Sequence, residues 1–254
     1  MGASSPEPGT QSQSLPTGLP IGTVSVRSGH PVGYSSTVAF TPYDAAAHAI
    51  GRARGLLNAS RLSVSPQLTP SERNDIRRLS IVMAVAALDT YLHRLVVDRA
   101  YTHRILPGAL ARLDVTFREL LAQADVAGAA ARRPQHNSRP RVGIKRQLRD
   151  RLLRETFQRY EDVARALGMA GHSKKWDAIG QNMKPSMEPA QIRTRLNGIV
   201  MRRNQIVHEG DYERLERPRN ARRNSISIKE TRADIEFLAH LVEAIHAVIS
   251  GATA

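Results

Sequence analysis

From Pro42 onward the apolar residues recur at three- and four-residue spacing, and no period-2 stretch of useful length interrupts them, so the chain reads as all-α. The clearest helix start is Thr69-Pro70-Ser71-Glu72, with an N-cap Thr, Pro at the first helical position and Glu three residues after the cap. The helix it opens is predicted to run to about His103, with Ile81, Val85, Leu88, Leu92, Leu95 and Val96 as its main apolar stripe. Further Ala, Val and Met residues make its middle apolar on nearly every side, as in the central helix of a bundle. Other helices are predicted from about Tyr43 to Ser60, after Pro107-Gly108 to about Val126, from Ile144 to Leu167, in a short segment around Trp176 to Ile179, and from about Pro189 to Val207. Gly210 offers a left-handed C-cap to the last of these. A second capping box, Ser227-Ile228-Lys229-Glu230, opens a final helix with Ile235, Leu238, Ala239, Val242, Ile245 and Ile249 facing the core.

Residues 1–41 are rich in Ser, Pro, Gly and Thr and have no helical period, so they are expected to form a disordered tail ahead of one domain over residues 42–254. Cysteine is absent, which excludes disulfides, thiolate metal sites and a Cys nucleophile, and fits the reducing cytoplasm. The longest unbroken apolar run, Ile81 to Leu88, is too short to span a bilayer, and no basic segment followed by an apolar one marks a secretory signal. No membrane partner is expected.

The net charge is +14, and 32 of the 37 basic residues are Arg. The planar guanidinium fork suits phosphate, so the excess points to a polyanionic partner, a nucleic acid ahead of an anionic membrane surface. Candidate backbone contacts are Arg132, Arg133, Arg139 and Arg141 in a basic loop over residues 127–143, and Arg219, Arg222 and Arg223 in a second over residues 214–224. A plainly solvated loop is the competing reading of both. Aromatic residues make up 4% of the chain, too few for a broad base-stacking platform.

On a helical wheel at about 100° per residue, Ile192, Leu196, Ile199, Val200, Ile206 and Val207 fall within roughly 120°, with Arg203 near the centre of that stripe. A guanidinium there is costly unless it is paired or opens onto a polar cleft. Two readings follow. Either Arg203 is a buried strut on a carboxylate such as Asp89, with His208 capping the helix end, or both serve a cleft. The Arg-to-His spacing is weak by itself, since Arg165 and His172 fit a looser version of it. His93, His240 and His246 read as ordinary packing or surface residues. No His spacing of metal-ligand type and no Gly-rich phosphate loop is present, so neither metal nor cofactor is expected.

The string RRNQIVHEGD, residues 202–211, resembles the signature of the HEPN superfamily: an Arg (Arg203), a polar residue (Asn204), three residues and a His (His208). The apolar string AALDTYLHRLV, residues 86–96, resembles the central helix of the same superfamily, and the two together are most similar to the branch called RiboL-PSP-HEPN. The resemblance implies an α-helical bundle that dimerises so that two copies of the motif line one cleft. It also implies a metal-independent endoribonuclease of a prokaryotic toxin, antiphage or RNA-processing system, with an antitoxin or defence-complex partner in some settings. Arg203, His208 and Asn204 would be its catalytic set, Asp89 a support, and Arg202 an RNA contact beside them. A non-catalytic HEPN module that binds RNA or protein is the alternative. Two departures stand out: Gly198 occupies a position that is Glu in some relatives, and Gly210 one that is Tyr.

Overall fold

A computed structural model describes residues 40–61, 68–102, 148–213 and 222–251. The expected tail up to residue 39, the helix after Pro107-Gly108 and the first basic loop lie outside these residues. Among the described residues every regular element is a helix, as the 3.6-residue period requires.

Helix α1 spans Pro42–Ala59 and starts on a capping box, Asp44 N–H donating to Thr41 Oγ1 (3.1 Å) and Thr41 N–H to Asp44 Oδ2 (2.8 Å). Its buried face is Ala45, Ala46, Ala49, Ile50, Ala53 and Leu57, mostly small side chains that let it lie along α2, Pro70–Thr102. The predicted Thr69 start is observed, with Thr69 N–H on Glu72 Oε2 at 2.6 Å. The whole predicted stripe of α2 is buried, and so are Ala84, Ala87 and Tyr91 between its members and Val97 just after it. Among the described residues α2 is the helix long and apolar enough to cross a membrane, but 61% of that window is buried by the rest of the fold.

The expected single helix over residues 144–167 is broken. Residues 148–152 are helical, residues 155–158 have no regular structure, and α3 begins at Tyr160 and runs to Met169. Local propensity loses here to tertiary contacts. Phe157 is fully buried, worth roughly 2 kcal/mol, and its N–H goes to Asp89 Oδ1 of α2 (2.7 Å) instead of a helical carbonyl. Asn197 Oδ1 then takes the Tyr160 N–H (3.0 Å) at the new helix start.

Helix α4 spans Trp176–Asn182, α5 Pro189–Glu209 and α6 Ile228–Ser250. Gly180 in α4 accepts no side chain, because a Cβ there would sit 2.2 Å from the Met187 carbonyl oxygen. The six predicted core positions of α6 are all buried, and Ser227 Oγ caps Glu230 N–H (3.1 Å). Helix α6 packs on α1 and α2, while α5 crosses α2 and also touches α3 and α4. The apolar stripe of α5 behaves differently along its length. Ile192, Leu196, Ile199 and Val200 are buried, Ile206 is half-buried, and Val207 is 47% exposed, so the stripe lifts off the core just where Arg203 stands.

Candidate active site

That departure opens a cleft of about 600 Å³. Val200, Arg203, Asn204 and His208 of α5 form one wall. The other comes from the connector before α3 and the first turn of α3: Thr156, Gln158, Arg159, Glu161 and Asp162.

Arg203 donates from Nη1 to Asn204 Oδ1 (3.0 Å), and its buried Nε has no hydrogen-bond partner among the described residues. No carboxylate pairs with it among the described residues. The expected support from Asp89 is not seen: among the described residues no hydrogen bond or ion pair joins it to Arg203, and its Oδ1 takes the Phe157 N–H and its Oδ2 Gln158 Nε2 (3.3 Å). Asp89 therefore shapes the opposite wall. Asn204, expected in the catalytic set, accepts the bond from the Arg203 guanidinium. His208 is exposed at the helix end and lines the cleft.

The two cleft carboxylates, which no motif in the sequence marks, are partly neutralised in place. Glu161 pairs with Arg193 (2.5 Å), and Asp162 with Arg165 (3.3 Å). Their one sequence signal is a pair of acidic residues in a first helical turn, a commonplace arrangement that says nothing of a cleft.

The neighbouring Arg202 is quite different. Its Nη2 lies 3.0 Å from Asp211 Oδ2 and 2.8 Å from the Ser225 carbonyl, while Arg78 Nε of α2 reaches the same Asp211 oxygen at 2.6 Å. Asp211 is fully buried and Arg78 nearly so. Gly210 (φ 62°) and Asp211 (φ 62°) turn the chain in two successive left-handed residues, which aims the carboxylate back under α5. Asn224 donates from its backbone N–H to the Asp211 carbonyl (2.8 Å), which ties residue 224 to the same point. Arg223 also joins this clamp, on the Gly210 carbonyl (3.0 Å) and Asp75 (2.6 Å). Two residues expected to contact RNA, Arg202 and Arg223, are thus occupied within the chain, whereas Arg222 is exposed. Arg132, Arg133, Arg139, Arg141 and Arg219 lie outside the described residues.

The central helix, the cleft motif and every other described helix but the first part of α1 sit inside one segment that matches a known family, since the sequence profile of RiboL-PSP-HEPN covers residues 53–251. The chain belongs to the RiboL-PSP-HEPN family. Neither the curated proteins nor the solved structures yielded a match. Membership fixes the all-α HEPN fold and places the chain among domains that cut or bind RNA. Within this HEPN domain the Arg203 and His208 side chains reach one cleft, while Arg165, on α3, pairs with Glu155 and Asp162. His93 and His246 are packing residues: His93 lies against Phe157 (ring centroids 4.7 Å) and His246 stacks on Tyr43 (4.5 Å).

Proposed function

We propose that this protein is a metal-independent endoribonuclease that works as a dimer, with Arg203 and His208 at the reacting phosphate. The observation that carries the reading is an Arg203 guanidinium that has no carboxylate partner among the described residues and shares an open cleft with His208 on a chain of net charge +14. A phosphate oxyanion is the ligand such a group lacks.

In this reading the imidazole of His208 takes the proton from a ribose 2′-hydroxyl or gives one to the departing 5′-oxygen, the two roles for which this side-chain type is suited near neutral pH. The 2′-oxygen bonds to phosphorus and the bond from phosphorus to the 5′-oxygen breaks, leaving a 2′,3′-cyclic phosphate and a 5′-hydroxyl. Arg203, steadied by Asn204, faces the charge that builds on the phosphoryl oxygens. One cleft His supplies one proton-transfer group, and a second copy of the chain supplies the other. Met201 (57% exposed) and Val207 (47%), which flank Arg203 and Asn204 on α5, offer that copy an apolar seat. A toxin, antiphage or RNA-processing setting, with a restraining partner protein, completes the proposal.

A second reading, a non-catalytic RNA-binding domain, draws on one observation: no hydrogen bond within the described residues orients His208. Incubating the purified protein with total RNA in excess EDTA separates the two. Wild type should fragment the RNA, and Arg203→Ala and His208→Ala should not. Intact RNA with wild type, or cutting by both variants, would contradict the enzymatic reading. A monomeric mass by light scattering at the assay concentration would contradict the shared cleft.

A further inference from the structure

Gln158 is a buried amide, 8% exposed, that lines the cleft on the wall opposite Arg203. Its Nε2 donates to Asp89 Oδ2 at 3.3 Å. A carboxylate only accepts, so the amide cannot turn over without placing oxygen against oxygen. Asp89 is itself held, because Oδ1 takes the Phe157 N–H at 2.7 Å. With Nε2 committed, Oε1 is the atom left to face the cleft, and it has no hydrogen-bond partner among the described residues. The wall facing the guanidinium therefore carries a fixed, neutral acceptor that is poorly suited to a phosphate and well suited to a hydroxyl donor.

We propose that Gln158 Oε1 accepts a hydrogen bond from a ribose 2′-hydroxyl of the bound strand, and that Asp89 acts as a positioning residue that keeps the amide oxygen turned toward it. This rests on the reading of the cleft as an RNA site and adds the group by which the site tells RNA from DNA. The donor on one wall would take the phosphate, and the acceptor on the other the sugar. A buried acceptor matched to a hydroxyl discriminates against the analogue that lacks it, since that analogue leaves the oxygen without a partner.

The test uses the full chain carrying His208→Ala, so that RNA stays intact, and fluorescence anisotropy with three labelled 12-mers of one sequence: RNA, 2′-fluoro RNA and RNA with inosine in place of guanosine. The 2′-fluoro strand keeps the RNA shape and removes the 2′ donor. The parent should bind RNA about fivefold more tightly than 2′-fluoro RNA, the size of one neutral hydrogen bond. Gln158→Leu should bring that ratio close to one. Asp89→Asn provides an independent arm: the Phe157 N–H keeps the oxygen of the introduced amide, so the new Nδ2 faces Gln158 and turns its oxygen away from the cleft. The ratio should collapse there too, in a protein that still has every hydrogen-bonding group of the cleft wall. An unchanged ratio in either variant, with thermal melting showing a folded protein, overturns the assignment. So does a loss of affinity that follows inosine instead of 2′-fluoro, which would make the donor a base amine. Failure of the parent to bind any RNA would sink the functional reading and this inference together, whereas binding that ignores the 2′ position sinks the inference alone.

Discussion

Arg202 and Arg203 are consecutive residues of one helix with opposite surroundings. Arg202 is satisfied by Asp211 and the Ser225 carbonyl and, through Asp211, joined to Arg78. Among the described residues Arg203 has one neutral partner, Asn204, and a buried Nε with none. A rotation of about 100° along the helix separates a guanidinium that builds the fold from one left for a ligand. Net charge alone is thus a poor guide to binding, because Arg202 and Arg223 are consumed in a clamp while Arg203 stands over the cleft.

The comparison is best broken by removing one side at a time. On the cleft side, His208→Ala should lower RNA cleavage by at least about 100-fold with no change in melting temperature, since its side chain is exposed and bonds to nothing among the described residues. A single-turnover assay beside a melting curve reads both. On the clamp side, Asp211→Asn removes a fully buried charge between two guanidinium groups and should cost about 3 kcal/mol, or about 10 °C in Tm, by chemical and thermal unfolding. Gly210→Ala is milder. It forces a side chain into the left-handed region and places a Cβ 3.0 Å from the Tyr212 ring, so about 1 kcal/mol should be lost in the same unfolding experiment. The smallest effect belongs to Arg222→Ala, an exposed residue beside the clamp. RNA affinity should weaken by about twofold at low salt and by less as salt rises, with stability unchanged, in a binding titration across ionic strength.

The sequence exposes those parts of the fold whose causes are local. The starts of α2 and α6 are legible because Thr69 with Glu72, and Ser227 with Glu230, close within three residues. The left-handed C-cap at Gly210 is legible for the same reason. The break before α3 is not, because its cause is Asp89, 68 residues away from the Phe157 N–H it accepts, and no Pro or Gly marks the spot. Arg203 stands out in the sequence as a cation on an apolar stripe, yet the stripe alone does not show that α5 leaves the core at that point. The part played by Asp211 is hidden too, since it depends on Arg78, 133 residues earlier. Its one sequence signal is a short carboxylate directly after a C-cap glycine, a residue type that tolerates left-handed backbone.

The most direct measurement pairs Arg202→Ala with Arg203→Ala and records, for each, the melting temperature and the rate of cleavage of a defined RNA in EDTA. Arg203→Ala should melt within about two degrees of wild type and lose activity by at least about 100-fold. Arg202→Ala should melt clearly lower and, at a temperature where it is folded, cut RNA at close to the wild-type rate. If instead the two variants lose stability and activity together, or Arg202→Ala is the inactive and stable one, the division of labour between the neighbouring arginines is wrong, and with it the assignment of the cleft.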